Sequence, residues 1–265
     1  MNTLVVDLII ALALLVTIPI GSRVLGVVAP PLAARCVAVL ALALPTGVVA
    51  GIPTAAWLAA SIWWLWQQRR APLTTLVALA WIPAAAAWLA LDRFGLRPLD
   101  FDSSIVLLTA AHFHHAGFGI SALLARTHTT VGLWVHQLGM VTVAAGITFS
   151  DALEPVGAAM VICALTCWTV TAWRLRRTLH GWRRAAFTIS ALVWTYPMLL
   201  AARWAIAPLG WTALTPFTRT LDAMVAQHGA VNAIGVVLFG LLALTPAPLQ
   251  NPNHQEVSHA DTTST

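Results

Sequence analysis

Apolar stretches close to the length of a membrane crossing recur from one end of this 265-residue chain to the other, with little polar sequence between them. About 20 helical residues cross a hydrocarbon core, and within lipid every backbone amide and carbonyl must be satisfied internally. Only 9% of the residues are charged and 59% are hydrophobic, whereas a soluble domain carries about a quarter charged residues. That is too little polar surface to wrap a water-facing globule. The chain therefore reads as all-α, a polytopic transmembrane helical bundle of about nine helices forming one domain over residues 1–245.

The spans drawn from hydropathy are Leu4–Ile20, Leu32–Val49, Thr54–Trp66, Leu73–Leu91, Ser104–Leu124, Thr130–Phe149, Val156–Trp173, Ala186–Ile206 and Val225–Leu244. Met1–Val6 has no basic region and Asp7 interrupts the approach, so the first span is expected to be a permanent helix rather than a cleaved signal. Residues 246–265 form a polar tail expected to be disordered.

All 14 basic residues are arginine. Loops after the odd-numbered spans hold Arg23, Arg35, Arg69, Arg70, Arg126, Arg174, Arg176, Arg177, Arg183 and Arg184; the other side keeps Arg93, Arg97, Arg203 and Arg219. The positive-inside rule then predicts a plasma-membrane protein with its N-terminus outside and its tail in the cytoplasm. Trp63, Trp64, Trp66, Trp173 and Trp182 fit an interfacial aromatic belt. The net charge of +5 is thus explained by topology, and no basic run on a soluble module points to nucleic acid. Arg93, Arg97, Asp100 and Asp102 share a loop and are expected to pair at the surface. Cys36, Cys163 and Cys167 fall in apolar segments and read as small buried side chains.

Ionisable groups inside membrane helices are costly and usually face a cavity or the bundle interior. The clearest here lie in Thr109-Ala110-Ala111-His112-Phe113-His114-His115-Ala116-Gly117-Phe118-Gly119. His112 sits roughly 12 Å into the fifth span at 1.5 Å per residue. His112 and His115 are three apart and share a face, while His114 points elsewhere. The flanking alanines and glycines permit close helix approach. The ninth span holds a second element, Gln227-His228-Gly229-Ala230-Val231-Asn232-Ala233-Ile234-Gly235, with His228 and Asn232 one turn apart. His136 and Tyr196 complete the intramembrane polar set. Asp102, Asp7, Asp151, Glu154 and Asp222 sit at outer helix ends, which allows a funnel from an acidic rim to the histidines.

Once the loop and tail residues His128, His180, His254 and His259 are set aside, five histidines remain. Membrane di-iron oxidases use many more, in several clusters, so no metal is expected. Imidazole titrates near pH 6.5, where acid–base catalysis and proton movement need it.

At these two motifs, and at Ile18-Pro19-Ile20-Gly21 closing the first helix, the chain resembles the YndJ-like membrane protein family. The resemblance implies a multi-pass bacterial membrane protein. Some members bear a transporter label, and some carry a further soluble C-terminal portion that is expected to be absent here.

The residues favour a membrane-embedded, cofactor-independent acid–base enzyme, an isomerase, cyclase, hydratase or epoxide-opening enzyme, acting on a lipophilic small molecule in a biosynthetic pathway. His112, His115, His228, Asn232, His114 and Asp102 are its candidate catalytic residues. Phe113, Trp134, Trp194 and Tyr196 are expected to line the pocket and stabilise positive charge. The alternative is a small-molecule or proton-coupled transporter. Against it, the sequence shows no inverted repeat or matched pair of broken helices. No nucleotide loop or nucleophile elbow is present.

Overall fold

The computed structural model describes residues 3–210 and 220–246. Of the tail expected to be disordered, only Pro246 is described; Arg219, His254, Glu256, His259 and Asp261 lie outside the described residues. The described chain is helical without strands. Its helices are α1 (Thr3–Val24), α2 (Leu32–Leu42), α3 (Val48–Gln67), α4 (Leu73–Phe94), α5 (Ser103–Arg126), α6 (Thr130–Phe149), α7 (Leu153–Thr178), α8 (Gly181–Leu209) and α9 (Leu221–Leu244). Eight are long and apolar enough to cross a membrane; α2, with 11 residues, is not.

The boundary between the second and third spans differs from the hydropathy reading. Residues up to Val49 were assigned to the second, but α2 stops at Leu42 and α3 already begins at Val48. Pro45 cannot continue a helix and Gly47 sits at φ 141°, which breaks the chain between them. The segment that holds the short α2 nevertheless runs from one end of the bundle to the other. Val28 accepts a hydrogen bond from Trp64 Nε1 (2.8 Å) near the end of α3. At the other end of the bundle, Gly47 N donates to Arg93 O (2.7 Å) and Arg93 Nη1 to Leu42 O (3.3 Å). Helix α2 supplies about 16 Å of that distance, and the non-helical residues on either side supply the rest.

Three other expectations change. Arg35, counted among loop arginines, is buried in α2 and donates to Leu14 O (2.9 Å) and Pro30 O (3.1 Å), where it holds α2 against the middle of α1. Arg93 is also buried, paired with Asp92 rather than with an exposed loop carboxylate. Cys163 and Cys167 face outward from α7 instead of into the core.

One end of the bundle gathers Arg69, Arg126, Arg174 and Arg183. There the guanidinium of Arg69 lies 3.9 Å over Trp66 and that of Arg176 lies 3.5 Å over Trp173, an arrangement suited to an interfacial belt. Trp64 does not join that belt, because it is buried against the α1–α2 connection. Arg183 donates to Ala243 O and Thr245 O and so satisfies carbonyls at the C-terminal end of α9.

The span α5 is the most enclosed, with 72% of its central window buried against 33–44% for the other seven, and it has the lowest mean hydropathy, 1.2. Lipid cannot satisfy its histidines, so the remaining helices enclose it. Close approach is achieved with glycine: a side chain at Gly117 would meet Trp81 of α4, and one at Gly119 would overlap Val237 of α9. Trp81 Nε1 donates to Gln137 Oε1 (2.6 Å), and Gln137 Nε2 to Ser121 Oγ (2.8 Å), linking α4, α6 and α5 through one polar chain.

Candidate functional site

Three helices contain widened, π-helical turns: α1 over Ala13–Thr17, α5 over Phe113–Ile120 and α9 over Val225–Leu238. These helices pack on one another. A π turn shifts the hydrogen-bond ladder by a residue, a feature often found at functional sites. Carbonyls in and beside these turns accept from buried side chains. His136 Nε2 donates to Ala116 O (2.9 Å), inside the widened stretch of α5. Ser190 Oγ donates to Val236 O, inside that of α9. His115 Nε2 donates to Ile9 O (2.9 Å), one turn before the widened stretch of α1.

These bonds fix tautomers, because a carbonyl only accepts. His115 carries its proton on Nε2, so Nδ1 keeps a basic lone pair, and that nitrogen is buried with no partner among the described residues. His228 Nδ1 donates to Pro197 O (2.7 Å), beside the break in α8 at Trp194. Its Nε2 is therefore an acceptor, and Asn232 Nδ2 approaches it at 3.3 Å. That contact leaves Asn232 Oδ1 as a second buried acceptor with no partner among the described residues. His112 has no hydrogen-bond partner among the described residues. Its ring lies parallel to that of His228, with centroids 6.3 Å apart and planes 15° apart.

His112, His115, His228 and Asn232 border a single cavity of about 310 Å³, walled mainly by apolar residues of α1, α4, α5, α6, α8 and α9. The cavity reaches toward the end of the bundle opposite the arginines, where Phe101, Thr148, Glu154 and Leu221 line it. The two histidine motifs thus converge on one cavity.

The other candidates fall elsewhere. His114 is fully buried, donates from Nδ1 to Ala110 O (2.8 Å) of its own helix and does not line the cavity. Asp102 is exposed at the start of α5 and accepts from Ser104 N (2.7 Å) and Ser104 Oγ (2.6 Å). Those hydrogen bonds, that of the Ser104 hydroxyl first, hold its carboxyl below the usual range. It acts as a helix cap and does not reach the cavity. Phe113 lines the cavity as expected, whereas Trp134 and Tyr196 are exposed and Trp194 is bonded to Thr169 Oγ1 (2.7 Å). The aromatic lining comes instead from Trp88, Phe101, Phe113 and Trp204. Of the acidic rim, Glu154 in the first turn of α7 is the carboxylate that reaches the lining. Sequence spacing could not select it over Asp151, three residues earlier. Among the described residues no three His, Cys, Asp or Glu side chains are grouped to hold a metal ion.

Fold and site together define a multi-pass helical membrane protein with a histidine-bordered cavity inside its bundle. Residues 8–236 match the YndJ-like protein family, and the chain belongs to it. It is 25% identical over 215 residues to the "Uncharacterized membrane protein YndJ" of Bacillus subtilis (strain 168). That alignment covers 69% of this chain and 37% of the Bacillus protein, so the chain spans well under half the length of that relative. No solved structure matches it.

Proposed function

We propose that the protein is a membrane-embedded acid–base enzyme acting on a lipophilic small molecule, without a soluble cofactor. The observation that carries this reading is the convergence of three imidazoles from two helices on one largely apolar cavity, two of them with tautomers fixed by backbone carbonyls. A fixed tautomer aims a known lone pair and needs no reorganisation when a proton moves. In this mechanism His112, which has no hydrogen-bond partner among the described residues, exchanges a proton with the substrate. His228, held by Pro197 O and Asn232, faces His112 across 6.3 Å and takes the complementary role. His115 provides a second basic lone pair on the same wall, and Glu154 is the proton partner toward the rim. The ring faces of Trp88 and Phe113 would stabilise positive charge developing on the substrate. Isomerisation, cyclisation, hydration and epoxide opening all proceed through such transfers. The arginine-rich end is assigned to the cytoplasm and the cavity to the outer half of the plasma membrane, in keeping with the positive-inside rule.

Proton transfer at carbon leaves an isotopic record. Membranes containing the wild-type protein, incubated in D₂O with a lipid extract of the source bacterium, are expected to yield a lipophilic compound that is deuterated or isomerised. Membranes containing His112→Ala, His115→Ala or His228→Ala are expected not to do so, although each variant inserts and folds. Label that persists in all three variants would defeat the assignment. So would a compound that enters sealed proteoliposomes chemically unchanged, which would favour transport.

A further inference from the structure

A second cavity, of about 600 Å³, lies at the opposite, arginine-rich end, between the α5–α6 connection, the end of α7 and the start of α8. Arg126, Arg174 and Arg183 line it together with His128, and no carboxylate does. The acidic residues of the described chain lie toward the other end, where Asp92 pairs with Arg93. Arg126 and Arg174 have no hydrogen bond or ion pair among the described residues. Arg183 is different: Nε and Nη2 are fixed on Ala243 O (2.8 Å) and Thr245 O (2.6 Å), so one guanidinium is held in place. The lining hydroxyls of Thr171 and Thr178 donate to carbonyls of α7, Cys167 O and Leu175 O, which leaves recognition to the cations.

Guanidinium groups match phosphate oxygens in geometry and charge. This cavity stands level with the Arg69–Trp66 and Arg176–Trp173 stacks, hence at headgroup depth. Basic pockets between helices at that depth suit anionic headgroups. We propose that the Arg126–Arg174–Arg183 cavity binds a phosphate group of net negative charge. The source is either an anionic phospholipid or a small soluble phosphate. This site is independent of the histidine cavity.

The test is thermal unfolding of the full chain in neutral detergent, titrated with dioleoyl-phosphatidylglycerol, dioleoyl-phosphatidylcholine and glycerol 3-phosphate. Stabilisation by phosphatidylglycerol but not by the other two identifies a lipid ligand; stabilisation by glycerol 3-phosphate identifies a soluble one. In either case Arg126→Gln and Arg174→Gln are each expected to weaken half-saturation roughly fivefold, the effect of about one surface charge on a headgroup. Arg69→Gln/Arg70→Gln, at the same end but outside the cavity, should titrate like wild type. Both lining arginines are exposed, so these variants are expected to fold. Equal stabilisation by phosphatidylcholine and phosphatidylglycerol, with none by glycerol 3-phosphate, would overturn the proposal. A double variant, Arg126→Gln/Arg174→Gln, that titrates like wild type would also overturn it.

Discussion

Helices α6 and α7 pack as closely as α5 and α9, and both pairs do so through glycine, yet only the second pair departs from regular α geometry. A side chain at Gly146 or Gly157 would run into backbone of the facing helix, Glu154 N or Val143 N respectively. A side chain at Gly119 or Gly240 would meet side chains, Val237 in one case and Ser190 and Leu123 in the other. The α6–α7 pair achieves its contact with unbroken α-helical ladders. Close packing alone therefore does not require widened turns. In α5 and α9 these turns coincide with the histidines, and carbonyls inside them accept the hydrogen bonds of His136 and Ser190, while His115 reaches Ile9 O beside the widened turn of α1. The first pair is a structural clamp and the second a site, and the two should respond differently to substitution.

The largest expected effect falls on the site. General acid–base groups contribute about 10²–10⁴-fold to rate. His112→Ala and His228→Ala are expected to lower the deuterium-incorporation rate by about that much. His112→Ala should leave thermal unfolding in detergent nearly unchanged, since His112 has no hydrogen bond among the described residues to lose. His228→Ala also gives up its bonds to Pro197 O and Asn232 and should lower Tm modestly. If His112→Ala instead unfolded the protein at normal turnover per folded molecule, the distinction between clamp and site would fail.

The clamp is tested by comparing two alanines. Gly157→Ala places a methyl 2.5 Å from Val143 N, a backbone atom that cannot move aside, and overpacking of this kind costs about 1–3 kcal/mol. Gly119→Ala meets the side chain of Val237, overlapping Cγ1 and lying 3.2 Å from Cβ. That β-branched side chain is stiff at χ1, but it is not backbone, and alanine regains about 1 kcal/mol of helix propensity over glycine. Gly157→Ala should therefore lower Tm more than Gly119→Ala, and Gly119→Ala should alter turnover as well. Equal losses of Tm would show that both pairs are packing devices.

A smaller effect is expected at the polar chain that ties α4 and α6 to the site helix. Gln137→Leu leaves Trp81 Nε1 and Ser121 Oγ without their partner. Interhelical hydrogen bonds in membranes average about 0.6 kcal/mol, so the loss of both should cost roughly 1 kcal/mol. Thermal unfolding measures it, and a neutral result would mean that these groups find substitutes.

Much of this organisation is legible in composition and spacing. Apolar length sets the helices, and the three-residue and four-residue spacings of His112/His115 and His228/Asn232 place each pair on one face. Three features are not legible. The widened turns arise from how α1, α5 and α9 fit together, and no local residue pattern announces them. The exit of Arg35 from the loop count depends on Leu14 O, a partner 21 residues away. Glu154 becomes the carboxylate of the cavity because Gly146 lets α6 press against the first turn of α7, a contact between two segments that hydropathy treats as separate spans.

Asp102 and Glu154 sharpen the comparison at its smallest scale: sequence spacing favours Asp102 as the catalytic carboxylate and leaves Glu154 on the rim, whereas Glu154, not Asp102, lines the cavity. Asp102 is fully solvated, and its carboxylate accepts from Ser104 N and Oγ at the start of α5. Its folded pKa lies below the unfolded value, so its contribution to stability is present above the ordinary carboxyl range and is lost as pH falls through the folded pKa. Asp102→Ala should therefore lower Tm slightly near neutral pH and converge with wild type in acid, and Asp102→Asn, which can still cap, should recover most of the difference. Neither should change the rate of deuterium incorporation. Glu154→Gln keeps the size of the side chain and removes its charge; it should lower that rate, by less than the histidine variants do, with Tm little altered. A rate that follows Asp102 rather than Glu154 would move the acidic partner from the cavity wall to the exposed cap.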